Sequence, residues 1–319
     1  MNFIAGAEVR TFAHVISATP RHMKTHNLPL TAALLWTAIT LCLAGFASLA
    51  EAAPKKVLVV TTTLGFRHSS IATAEKIIAR LGDESGAFAV DYARVDPNDP
   101  KFKGPDGKPD KKRVDEAIKA VLAEKMSLEA LKNYDAVIFA NTTGDLPLPD
   151  PQGFLDWIKS GKGFVGMHAA GDTFHGFSAY IEMVGAEFKI HKEQVEVDPI
   201  NEDKECPACR HLPAKWKIFD EIYQFKNFDR AKVHGLLSLD HNPNDNSPGD
   251  YPLSWCKEYG RGRVFYTALG HREDVWDPNW PDRKNPKEAA EAYQQHILNG
   301  IKWAVGLEKW NAKPQKPAE

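Results

Sequence analysis

The sequence predicts an α/β fold, a mostly parallel sheet with helices on both faces. Three observations predict it. Apolar runs at 56–63, 88–95, 134–140 and 163–166 alternate with helical patterns, which is the signature of a doubly covered parallel sheet. Several of these runs end in small and polar residues, at the edge where open α/β sheets bind ligands. One such end, Gly166-Met167-His168-Ala169-Ala170, has the small neighbours of the sharp strand-to-helix turn G-x-S-x-G, which lifts one side chain above the sheet edge. Here that residue is His168, which can be an acid, a base or a metal ligand but rarely starts acyl transfer.

Taken in order, the chain opens with an apolar run at 30–50, preceded by Arg21, His22 and Lys24 and followed by Ala50-Glu51-Ala52. That is the pattern of a signal peptide with an A-x-A cleavage site. The competing reading is an uncleaved anchor. Residues 1–52 are therefore expected to be an N-terminal extension and leader, with Met23 as an alternative start. The protein is expected to be periplasmic or secreted, with no membrane attachment after cleavage. The folded domain is expected at 53–310, with 311–319 a disordered tail.

Residues 56–63 (K-V-L-V-V-T-T-T) read as the first strand. It runs into Leu64-Gly65-Phe66-Arg67-His68-Ser69-Ser70, where Ser69 or Ser70 is the candidate cap of the next helix. Arg67 and His68 thus fall at a strand's C-terminal end. Residues 88–95 alternate as a second strand, 96–112 form a solvated loop, and 114–125 and 128–131 are helical. The strand at 134–140 ends in Asn141-Thr142-Thr143-Gly144-Asp145. A helix at 151–159 with Gly161 as its stop leads to the strand before His168. Neither G-x-G-x-x-G nor a P-loop follows the first strand, which argues against dinucleotide and nucleotide chemistry.

In the second half, 194–197 is extended and 201–211 is a polar, cysteine-bearing loop. In 220–225 (D-E-I-Y-Q-F), strand alternation puts Glu221, Tyr223 and Phe225 on one face. A strand is predicted at 233–239 and a turn-rich loop at 242–250. A tight turn and strand at 259–271 end in His271. A loop rich in Trp and Pro spans 276–286, and 291–305 is the closing helix. Cys206-Pro207-Ala208-Cys209 reads as a local disulfide in an oxidising compartment. It is not a c-type haem site, because Arg210 rather than His follows. A net charge of −2 over 319 residues gives no sign of a nucleic-acid partner.

Several of these stretches resemble one family. V-V-T-T-T-L-G-F-R-H-S-S-I, Y-D-A-V-I-F with T-T-G-D, G-K-G-F-V-G-M-H-A-A-G-D, V-G-A-E-F, D-E-I-Y-Q-F and Y-G-R-G-R-V-F-Y-T-A-L-G-H are similar, in order, to the ThuA-like (trehalose utilisation) family. The resemblance implies a flavodoxin-like fold related to class I glutamine amidotransferases, with His168 where their cysteine stands. It also implies a link to disaccharide catabolism through keto-sugars, and it supports Glu221 as a site residue. Residues 210–216 depart from the family pattern, lacking an H-P-x-T segment before L-P-x-x-W.

Two functions follow as expectations. The first is an exported enzyme acting on a disaccharide or keto-glycoside, with His68, His168, Glu221 and His271 as catalytic candidates. Arg67, Thr143, Asp172, Tyr223 and Trp255 are its substrate-binding candidates. The same histidines, His68, His168 and His271, are candidate ligands of a divalent metal such as zinc. The second is a non-catalytic carbohydrate-binding module that stacks sugars on Trp255, Trp276 and Trp280. An amidotransferase is disfavoured because its nucleophile is missing. The expected partner is a small carbohydrate, and self-association into a homo-oligomer is left open.

Overall fold

The computed structural model describes residues 53–315, so the leader and cleavage site read from 1–52 lie outside the described residues, as do 316–319. The first half alternates strands β1 (Lys55–Val60), β2 (Phe88–Ala93), β3 (Ala136–Ala140) and β4 (Gly163–Met167) with helices. These are α1 (Ile71–Ser85), α2 (Lys111–Lys125), the short α3 (Leu128–Leu131) and α4 (Pro151–Lys159). After α5 (Ser178–Val184) come five short strands: β5 (Glu187–Ile190), β6 (Val195–Val197), β7 (Ile200–Asn201), β8 (Ile218–Asp220) and β9 (Gln224–Lys226). The chain closes with β10 (His234–His241), β11 (Pro248–Tyr259), β12 (Gly262–Thr267), α6 (Glu273–Trp276) and α7 (Lys287–Ala304).

Eight strands make one sheet in the order β2-β1-β3-β4-β12-β11-β10-β7. Pairing is parallel from β2 through β12 and antiparallel from β12 out to β7. The five parallel strands follow the 2-1-3-4-5 order of flavodoxin-like sheets. Their C-terminal ends therefore share one edge. Side chains alternate along each strand, and both faces are dry. Val57, Val59, Ile138 and Val165 pack in one core with α1 and α7. Leu58, Val60, Val137 and Phe139 pack in the other with α2, α4 and α5.

Local sequence explains the helix starts. Asp110 accepts the Arg113 N–H at the head of α2. Asp150 accepts the Gly153 N–H at the head of α4, with Pro151 in the first turn. Ser70 precedes α1 but makes no side-chain cap; its hydroxyl is used at the sheet edge instead, as described below.

Four expectations change. The D-E-I-Y-Q-F segment is not one strand: it breaks after Asp220, and β8 and β9 belong to separate two-stranded sheets with β6 and β5. β11 is twelve residues long and begins at Pro248, inside the predicted loop. Cys206, Cys209 and Cys256 are free and buried, not disulfide-bonded; the Cys209 and Arg210 N–H groups both donate to the Cys206 carbonyl, which winds the segment into a turn against the core. Residues 311–315 are not a loose tail. Ala312 is buried and the Lys313 carbonyl bonds to His234 Nδ1.

Candidate functional site

The sheet edge is built around the turn that follows β4. His168 itself takes the left-handed backbone, with φ of 46°, a conformation uncommon outside glycine that persists only where surrounding contacts hold it. Tyr266 OH donates to the His168 carbonyl at 2.5 Å, and Tyr180 OH to the Ala170 carbonyl at 2.9 Å. The flanking glycines serve space rather than backbone freedom. A Cβ on Gly166 or on Gly171 would come within 2.7 Å of Tyr266. The small residues thus let the tyrosine in, and the tyrosine pins the strained histidine.

The neighbouring strand ends are tied together beneath it. The Gly270 carbonyl, just past β12, accepts from Ser70 Oγ at 3.2 Å, Asn141 Nδ2 at 3.1 Å and Trp276 Nε1 at 2.8 Å. Ser70 follows β1 and Asn141 follows β3, so one carbonyl joins three strand ends. The fully buried Asp220 carboxylate accepts the backbone N–H groups of Gly270 at 2.7 Å, His271 at 3.4 Å and Arg272 at 3.2 Å. It fixes the turn that presents His271.

Three imidazoles and one carboxylate meet at this edge. The ring centroids of His68 and His168 are 4.8 Å apart, those of His68 and His271 5.1 Å, and those of His168 and His271 5.3 Å. Glu221 Oε2 lies 3.6 Å from His168 Nε2 and 3.3 Å from His271 Nδ1. Glu221 reaches them from the irregular segment between β8 and β9, not from a strand. His168 Nδ1 lies 2.7 Å from the Ala268 carbonyl. A carbonyl only accepts, so Nδ1 carries the proton and Nε2 turns inward.

Burial and charge set the protonation states. Burial, reinforced by the neighbouring imidazoles, depresses His68 to about 2 and keeps it neutral. Burial alone would raise the Glu221 carboxyl, but the His168 and His271 imidazoles beside it outweigh burial and hold the group below the usual carboxylate range. For His271 burial disfavours the imidazolium, yet the Glu221 carboxylate outweighs it and raises the group above its ordinary value.

The set could hold a metal ion. One ligand atom from each of His68, His168, Glu221 and His271 lies within 4.8 Å of all the others. His68 Nδ1, His168 Nε2 and His271 Nδ1 are buried and have no hydrogen-bond partner, a costly state that a cation would relieve. Nitrogen and oxygen donors of this kind suit zinc. The Nδ1–H of His168 on a backbone carbonyl is the outer-shell bond that ligating histidines usually make.

The other sequence candidates divide. Tyr223 is buried with its ring 4.2 Å from that of His168. Asp172 lies four residues beyond His168 and is bound to His175 Nε2 at 2.7 Å. Thr143 is buried and donates to the Phe66 carbonyl at 2.8 Å, so it holds the β1 loop. Arg67 turns away from the cluster. Its Nη1 donates to the Thr61 carbonyl, and the side chain lines a cavity of about 640 Å³ between α1 and α2 with Glu75, Arg94 and Asp96. Trp255 is a core residue and no sugar platform. It is 0% exposed, donates to the Val184 carbonyl and stacks on Tyr266, because β11 lies inside the sheet with both faces covered. Trp276 is equally buried; Trp280 is half-buried.

Sequence reasoning assigned no role to Asp220 or His191. His191 Nδ1 is 3.0 Å from Glu221 Oε1, and its side chain is half-exposed. No motif pointed to His191, whereas Asp220 stands directly beside Glu221 in the D-E-I-Y-Q-F stretch.

The family model described as "ThuA: Trehalose utilisation" matches residues 56–304. The chain belongs to the ThuA family. Two solved structures described as ThuA-like share the fold. One, from Parabacteroides merdae, is 20% identical, with a TM-score of 0.58, covering 80% of this chain and 91% of its own. The other, from Bacteroides uniformis, is 21% identical, with a TM-score of 0.56, covering 83% of this chain and 97% of its own. No functionally curated protein matches the chain. At this identity the structural likeness supports the ThuA fold alone.

Proposed function

We propose that this ThuA-family protein is an exported enzyme that acts on a disaccharide or its keto-glycoside at the cluster of His68, His168, Glu221 and His271, with a divalent cation, zinc by its donor set, held there. The observation that carries the reading is three histidines, each with a buried ring nitrogen that lacks a hydrogen bond, which with Glu221 bring one ligand atom apiece within 4.8 Å of the others. Such an arrangement is costly unless something binds in it. A bound cation would polarise a substrate carbonyl or hydroxyl, or ready a water for attack. Glu221 stays ionised and balances positive charge. The Ala268 carbonyl holds His168 in one tautomer, and Tyr266 fixes its height above the sheet. Chemistry next to a sugar carbonyl, or hydrolysis, fits this set. The non-catalytic module is less favoured, since Trp255 and Trp276 are buried in the core.

The test is turnover of trehalose and 3-ketotrehalose by the purified protein and by His168→Ala. The expected result is product formation that falls by about 10²–10⁴-fold in the variant, with the fold retained. Binding of the sugars without product would return the non-catalytic module. Undiminished turnover by His168→Ala would remove the cluster from the chemistry.

A further inference from the structure

We propose that Phe66 is the aromatic platform on which a sugar ring of the substrate lies, making it a specificity-determining residue of this site; the inference rests on the sugar reading above. Among the large apolar side chains that the described residues leave exposed, Phe66 at 66% is the aromatic one; the others are Leu128, Ile190, Ile200 and Leu307. An aromatic ring left in water forgoes the stabilisation that burial would give. This ring is also not at a random surface point. Its centroid is 4.9 Å from that of His68, edge to face at 81°, so it stands at the rim of the imidazole cluster.

The backbone presents the ring rigidly. Thr143 is buried and its Oγ1 donates to the Phe66 carbonyl at 2.8 Å. The Leu64 N–H donates to the Thr143 carbonyl at 3.0 Å, and Thr63 bridges to Thr143. A Cβ on Gly65 would come within 3.1 Å of Thr143 Oγ1, so the loop lies tight against the exit of β3. A loop bound at residues 63, 64 and 66 fixes the Phe66 backbone beside the cluster before any ligand arrives. Ligand sites commonly pair an apolar or aromatic wall with a few placed polar groups. A pyranose matches that pairing. Its C–H face lies on the phenyl ring while its oxygens turn to the imidazoles and Glu221. Phe66 thereby does what Trp255 and Trp276, buried in the core, are unable to do.

The experiment is calorimetric titration of trehalose and 3-ketotrehalose into the full protein, Phe66→Ala and Phe66→Tyr, with zinc content measured on each. The expected result is that Phe66→Ala binds the preferred sugar about tenfold more weakly. Phe66→Tyr should bind within about twofold of the parent, and zinc content should not change. Parent-like affinity in Phe66→Ala overturns the platform and leaves the sugar reading intact. Loss of zinc or of thermal stability in Phe66→Ala would show a structural role and also overturn it. A parent protein that binds neither sugar removes the sugar reading and the platform with it.

Discussion

At the scale of single residues the site depends on groups that hold others in place. Gly171 is the clearest case, because an added methyl would sit 2.7 Å from Tyr266 OH, the hydroxyl that pins His168. Gly171→Ala is expected to cost about 1–3 kcal/mol through overpacking, read as a lower urea midpoint with unchanged m-value. Gly306→Ala, whose added Cβ would meet no Tyr266 atom within 4 Å, offers a comparison in which backbone strain acts, since its φ is +83° and Arg263 is its nearest neighbour at 3.4 Å. Asp220 holds three backbone N–H groups, and its removal leaves them unpaired, that of Gly270 fully buried. Asp220→Ala is expected to destabilise by at least about 2 kcal/mol and to weaken zinc retention by displacing His271. A variant of parental stability and zinc content would show that the 270–272 turn holds itself.

At the scale of elements, the segment after the His168 turn is fastened to β5 by a charged bridge. His175 lies 2.7 Å from Asp172 and 2.8 Å from Glu187, and Lys226 also pairs with Glu187. Burial would lower His175, but the hydrogen bonds to Glu187 and Asp172 outweigh it and raise it above its ordinary value. The sign follows directly. A folded-state pKa above the unfolded one gives stability that is complete below the unfolded value, about 6.5, and lost as pH rises through the folded value. The Tm advantage of the parent over His175→Gln should therefore be largest near pH 6 and shrink by about pH 8. A gap that does not change across that range would show the bridge to be silent. The side chain is two-fifths exposed, so solvent screening keeps the effect small. For β11 the expectation is different in kind: Trp255→Ala removes a fully buried indole and should cost about 3–5 kcal/mol, measured by denaturant unfolding.

At the scale of the whole molecule, the parallel half of the sheet was legible because its strands are apolar runs bounded by Gly and polar turns. The parallel topology then required their C-terminal ends to meet, which is why His68, His168 and His271 could be read from three distant stretches. What was not legible arose where local pattern and tertiary setting part. Glu221 reaches the cluster from an irregular segment that looks like alternating strand. Arg67, one residue from His68, points into another cavity, since consecutive loop residues diverge. Trp255 reads as a surface aromatic until β11 is seen to lie inside the sheet. Ala312 sits in a charged tail yet packs on the core. The central claim is that the four converging groups hold a divalent cation. Elemental analysis of the protein as purified, beside His68→Ala, His168→Ala, Glu221→Ala and His271→Ala, tests it most directly. The account predicts a single zinc or similar divalent ion per parent chain, depleted in each folded variant; a folded parent that carries no such ion and takes none up on addition of zinc would contradict it.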